Sequence, residues 1–159
     1  MPREIVGAAS GAGLKIGVVV ARFNAFVTEG LLAGALGAIR DAGVADGDVT
    51  LLRVPGAFEI PLAARALLET GEHDGIVCLG AVIRGDTPHF DFVAKAATDG
   101  LLGVMLERGV PVAFGVLTTD TVEQALARSA EGEGNKGAEA ARTVLEMVGL
   151  LAALKSRST

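Results

Sequence analysis

The sequence predicts an α/β sandwich on a four-stranded parallel sheet, and two observations carry that expectation. Four short apolar runs alternate along the chain with longer segments of helical spacing. Three of the four runs lack polar–apolar alternation, as strands buried on both faces do. Strand–helix alternation in turn implies crossovers of one hand, right-handed, between parallel strands.

The elements follow in order. Arg3–Gly7 is expected as a short extra strand, and Ala8–Gly13 as a small-residue linker, giving an arm over residues 1–14. The first main strand is Lys15–Ala21 (KIGVVVA). A helix over Phe26–Ala42 follows, with Leu31, Leu32, Ala35, Leu36 and Ile39 on one face. Val49–Val54 (VTLLRV) is the second strand, and a helix over Ile60–Thr70 follows it. Gly75–Ile83 (GIVCLGAVI) is the third, followed by a helix over His89–Arg108. The fourth strand, Pro111–Leu117, precedes a short helix over Thr121–Ser129 and a longer one over Lys136–Leu154. That last helix carries Val144, Leu145, Met147, Val148, Leu150, Leu151 and Leu154, so it is apolar nearly all round. Such a helix needs cover on more than one side, and a neighbouring subunit is the expected cover. The domain is placed at residues 15–154 and a solvated tail at 155–159.

Composition narrows the function classes. A chain of 159 residues with 50% hydrophobic and 21% charged residues suits one folded domain. The mean hydropathy of +0.49 is high. The longest uncharged stretch, Gly109 to Thr119, still falls short of the roughly 18 apolar residues of a spanning helix. The surplus apolar surface is expected in subunit contacts. A net charge of −5 with no basic patch argues against nucleic acid as the main partner. Cys78 is the only cysteine, so no internal disulfide forms, which fits a reducing compartment. Met1–Gly13 lacks the order of a signal peptide, and a cytoplasmic protein is expected.

In parallel sheets, ligands bind outside the carboxyl ends of the strands. After the first strand stands Arg22-Phe23-Asn24, where Phe23 either packs on the first helix or lines a pocket. After the second come Gly56-Ala57-Phe58-Glu59, with Pro61 suited to a first helical turn. Glu59 favours the helix dipole or accepts hydrogen bonds from ligand hydroxyls. After the third comes Arg84-Gly85-Asp86-Thr87-Pro88-His89. Thr87 is read as an N-cap with Pro88 at the first helical position, leaving free amides for a phosphate. Asp86 would have to serve by its backbone, and His89 stands ready for proton transfer. His73 is read as an ordinary surface histidine. After the fourth, Thr119 or Asp120 is expected to cap the next helix, and Phe114 within the strand reads as core or as site. Arg128 either complements a helix C-terminus or grips phosphate bidentately. Lys136 opposes the dipole of the helix it starts, which hints at another purpose, although Glu133 or Glu139 is a ready partner. No metal motif, GxGxxG or Walker loop is present.

Six strings, ARFN (21–24), VPGAFEIP (54–61), GAVIRGDTPHFDFV (80–93), FGVLTTDT (114–121), EQAL (123–126) and GNKG (134–137), together resemble the 6,7-dimethyl-8-ribityllumazine synthase family. The likeness runs from Lys15 to Leu151. It implies a flavodoxin-like three-layer sandwich and a synthase of riboflavin biosynthesis with no organic cofactor and no metal. That enzyme joins 5-amino-6-(D-ribitylamino)uracil to 3,4-dihydroxy-2-butanone 4-phosphate, giving the lumazine, phosphate and water. By resemblance, Phe23 stacks on the pyrimidine, Ala57-Phe58-Glu59 meets the ribityl chain, and Ala81-Val82-Ile83 reads the uracil. Asp86-Thr87 corresponds to the phosphate loop and His89 to the proton-transfer residue. Phe114 and Arg128 match positions that the adjacent subunit supplies, Arg128 for phosphate, and Lys136 matches a lysine near the same pocket. The family builds pentamers, and many members close twelve of them into an icosahedral shell. The short link Ala130–Gly134 resembles shell-forming members. A family member that only binds flavin-like ligands, a cage scaffold and a flavodoxin-like signalling module are the alternatives weighed against the enzyme. The third lacks the clustered acids and switch lysine of a receiver domain.

Overall fold

A computed structural model describes residues 1–157. Four parallel strands, β1 (Ile16–Ala21), β2 (Val49–Val54), β3 (Gly75–Ile83) and β4 (Val112–Thr119), form one sheet in the order β2-β1-β3-β4. Five α-helices connect and cover it: α1 (Ala25–Asp41), α2 (Ile60–Glu69), α3 (His89–Arg108), α4 (Val122–Ser129) and α5 (Lys136–Arg157). The core lies in two layers. Val18, Val20, Val77 and Leu79 face Leu31, Ala35 and Ile39 of α1 and Ala141, Val144 and Leu145 of α5. Val19, Ile76, Cys78 and Val116 face Ile60, Ala64 and Leu67 of α2 and Ala97, Leu101 and Val104 of α3. Burial on both faces explains why β1 and β3 read as unbroken apolar runs.

The strand order reverses between β1 and β3, because β2 lies outside β1 and β4 outside β3. Loops on opposite sides of such a switch point diverge and leave a crevice at the carboxyl ends. Glycine brings the helices close to the sheet. At Gly75 a Cβ would stand 2.5 Å from Val144 Cγ1.

Three expectations are corrected. Arg3–Gly7 forms no strand. The arm instead crosses α5, where a Cβ on Gly7 would stand 2.0 Å from the Glu146 carbonyl and one on Gly149 2.3 Å from that of Ala8. Packing without side chains on a helix takes the place of a sheet ladder there. The α4 cap is neither Thr119 nor Asp120 but Thr121: its hydroxyl accepts from the Gln124 amide at 3.1 Å, while Gln124 Oε1 accepts from the Asp120 and Thr121 amides. And α5 continues through Lys155 to Arg157, where a tail is expected; Ser158 and Thr159 lie outside the described residues. Among the described residues, no helix is long and apolar enough to cross a membrane.

Candidate active site

The crevice at the switch point opens into a cavity of about 670 Å³, within the size range of small-molecule sites. Three strand ends line it. From the end of β1 come Phe23 and Asn24; from the end of β2, Gly56, Ala57, Phe58 and Glu59. From β3 and the start of α3 come Ala81, Val82, Ile83, Gly85, Thr87, His89, Phe90, Phe92 and Val93.

The backbone explains why these side chains meet. The amides of Arg22 and Phe23 donate to the carbonyls of Val54 and Pro55 at 2.8 and 2.9 Å, so the β1 and β2 exits run together. Asn24 then turns the chain in a left-handed conformation (φ 64°), which asparagine tolerates better than most residues. Its Nδ2 donates to the Ala81 carbonyl at 2.9 Å and ties the β1 exit to β3. Phe23 is thereby left 71% exposed at the cavity rim instead of packed on α1. Phe58, 64% exposed, stands there too, while Glu59 is half-buried.

The β3 exit is held by Arg84. Its amide donates to the Thr119 carbonyl at 2.9 Å, continuing the β3–β4 ladder by one step. Its guanidinium donates to Asp120 at 2.8 Å, lies 3.5 Å from Asp91 and sits 4.4 Å above the Phe90 ring centroid. The hydrogen bond to Asp120 foremost raises the Arg84 pKa above its ordinary value. Gly85, Asp86 and Thr87 form the exposed loop between this anchor and α3. Pro88, not Thr87, occupies the cap position of α3. Thr87 still serves the helix end, since its hydroxyl accepts from the His89 amide at 3.4 Å. His89 opens α3 with its exposed side chain on the cavity.

Not every residue singled out from the sequence lies here. Asp86 is exposed and does not line the cavity. Phe114, Arg128 and Lys136 line a second cavity of about 310 Å³ along β4, whose lining shares no residue with the first. Phe114 is 44% exposed on the outer strand, so it is not core. Arg128 spends one nitrogen on the Gln124 carbonyl at 3.0 Å. Lys136 pairs with Glu139 at 2.9 Å, one of the two partners foreseen. Gly56 and Gly85, read from the sequence as leaving room for a ligand and helping the loop wrap an anion, line the first cavity, and Asn24, Phe90, Phe92 and Val93 complete it without a site role expected from the sequence. Position after a strand end pointed to Asn24, Gly56 and Gly85; for Phe90, Phe92 and Val93 the signal was masked by an α3 sequence that reads as helix. His73 is bonded at 3.0 Å to Thr50 on the sheet edge, away from both cavities.

Residues 13–152 match the family model described as 6,7-dimethyl-8-ribityllumazine synthase. A protein of Desulfatibacillum aliphaticivorans bearing that same name is 51% identical over 150 residues, which is 94% of this chain and 97% of the relative.

Proposed function

The chain belongs to the 6,7-dimethyl-8-ribityllumazine synthase family, and we propose that its reaction runs in the cavity at the ends of β1, β2 and β3, completed by a second copy of the chain. The enzyme is a transferase of riboflavin biosynthesis. It condenses 5-amino-6-(D-ribitylamino)uracil with 3,4-dihydroxy-2-butanone 4-phosphate to the lumazine, one phosphate and two waters. The observation that carries the site is the shared lining: Phe23, Ala57, Phe58, Glu59, Ala81, Val82, Ile83, Thr87 and His89 stand around one space.

Each role follows from chemistry. The exposed Phe23 ring offers a face on which the pyrimidine stacks. Ala81-Val82-Ile83 presents peptide groups to the uracil, and the Glu59 carboxylate accepts ribityl hydroxyls. The Gly85–Thr87 loop and the first turn of α3 offer amides to the phosphate, Asp86 through its backbone. The amine attacks the ketone and loses water to give an imine. Phosphate then leaves, and ring closure expels the second water. His89 at the mouth of α3 moves protons in these steps. Arg128 and Lys136, brought with Phe114 by the neighbour, stabilise the departing phosphate. Holding both substrates in one space supplies rate through orientation.

The separation of the two linings within one chain supports a site between subunits. We read the assembly as a pentamer and, given the short 130–134 link, as twelve pentamers in a shell. We place the protein in the cytoplasm, in keeping with its single, buried thiol.

Purified protein mixed with both substrates is expected to release lumazine and phosphate in equal amounts. Tight pyrimidine binding with no product would overturn the enzyme reading. Arg128→Ala is expected to raise KM for the butanone phosphate about tenfold or more, the scale of one lost charge-assisted contact, with the pyrimidine KM within about twofold. Equal changes in both would remove Arg128 from the phosphate site.

A further inference from the structure

Asn135 has no part in the chemistry above, yet it is the most heavily bonded buried polar side chain among the described residues. It is 2% exposed and stands between the end of α4 and the start of α5. Its Nδ2 donates to three carbonyls, those of Gly30 on α1, Ser129 and Ala130, each at 3.1 Å. Its Oδ1 accepts from the Ala138 amide at 3.0 Å and caps α5. An amide has two hydrogens, so three carbonyls mean that one hydrogen is shared.

The surroundings are shaped to admit this amide. A Cβ on Gly34 of α1 would stand 2.1 Å from Asn135 Oδ1 and 2.4 Å from its Cγ. A Cβ on Gly30 would stand 2.4 Å from the Ser129 carbonyl, and one on Gly137 2.0 Å from that of Leu31. Three glycines therefore let the α4–α5 junction lie directly on α1. Without the clamp, the link would be loose, since it contains Gly132 at φ 119° and Gly134.

The two cations of the β4 cavity flank the clamp. Arg128 immediately precedes the clamped Ser129 and Ala130 carbonyls, and Lys136 immediately follows Asn135. We propose that Asn135 is a positioning residue: its buried amide fixes Arg128 and Lys136 relative to each other so that one phosphate meets both. This rests on the phosphate role given to those cations above. A cap alone would need only the acceptor. The three donated bonds are what tie the end of α4 to the start of α5.

Asn135→Ser separates the two roles, because serine caps helices well but cannot reach three carbonyls. Gly34→Ala displaces the same amide from the opposite side. Both variants are expected to raise the KM for the butanone phosphate and the inhibition constant of inorganic phosphate about tenfold. The pyrimidine KM should stay within about twofold. In an Arg128→Ala background, Asn135→Ser should add less than about twofold, because only one of the two cations is left and there is no pair to hold in register. Equal changes in both KM values, unchanged kinetics, or full additivity with Arg128→Ala would overturn the proposal, as would failure of both variants to fold. If Arg128→Ala itself spares the phosphate KM, the phosphate site falls and this inference with it. If Arg128→Ala is selective and Asn135→Ser is not, only the inference falls.

Discussion

His89 illustrates how much one side chain owes to the residues that seat it. Pro88 occupies the cap position, Thr87 accepts from the His89 amide, and Arg84 pins the preceding turn to Asp120 and Asp91. The imidazole itself makes no hydrogen bond to the described residues, so its nitrogens are free for substrate. His89→Ala should lower kcat about a hundredfold, the low end for a positioned acid–base group, and leave pyrimidine affinity within about twofold. Stopped-flow turnover and equilibrium titration check the two halves separately; a loss confined to affinity would assign His89 to binding. Cys78 is the contrary case. It is fully buried in the centre of β3, and burial pushes its thiol up, out of the range in which a thiolate forms. Its place is with the core, not with the chemistry.

At the scale of elements, two substitutions at the ends of α4 and α5 should differ sharply. Thr121→Ala removes one half of a capping box on an exposed helix end and should cost about 1 kcal/mol. Gly137→Ala drives a methyl to 2.0 Å from the Leu31 carbonyl, which is backbone and cannot rotate away, so it should cost more than about 2 kcal/mol. Urea midpoints for the two variants check the ranking, and a Gly137→Ala protein as stable as Thr121→Ala would mean that α1 and α5 separate freely. The same helix ends show what the sequence made legible. Apolar runs and helical periods point to the four strands and the five α-helices, with His89–Arg108 matching to the residue, but not to the 3-10 turns at Asp46–Asp48 and Ala57–Glu59, and they suggest a strand at Arg3–Gly7 that does not form. The caps differ from expectation by a residue or two: before α4 three threonines compete and only the reciprocal bond to Gln124 selects Thr121, and before α3 the cap position falls on Pro88 instead of Thr87. Positions after strand ends located Phe23, Glu59 and His89. Phe92 was missed, since a phenylalanine on α3 reads as core until the helix is seen to turn it outward, 72% exposed. The clamp of Asn135 spans 105 residues to Gly30, a distance at which no local pattern speaks.

At the scale of the whole molecule, the surface left uncovered bears on the proposal that two copies of the chain complete the site. A groove of about 460 Å³ between α3, β4 and α5 is lined by Met105, Leu106, Val110, Pro111, Val144, Met147 and Leu151 among others. Leu106 of α3 is 71% exposed and Met147 of α5 39%, so the apolar side chains that these two helices turn to the groove are left uncovered by the chain itself. Such a surface is costly in water and resembles half of an obligate interface. The groove shares Ala113, Phe114 and Thr143 with the cavity that holds Arg128 and Lys136. A neighbour that covers the groove therefore also meets the cation cavity. If the assembly proposed above holds, dissociation should remove both the apolar contact and the proposed phosphate ligands. Leu106→Asp places a charge in the groove and should shift the protein to smaller species by sedimentation velocity. Turnover should fall in proportion, and in dilution series of the variant it should rise more steeply than linearly with protein concentration. Monomers that retain full turnover would show that one chain completes the site by itself, and Phe114, Arg128 and Lys136 would then need another role.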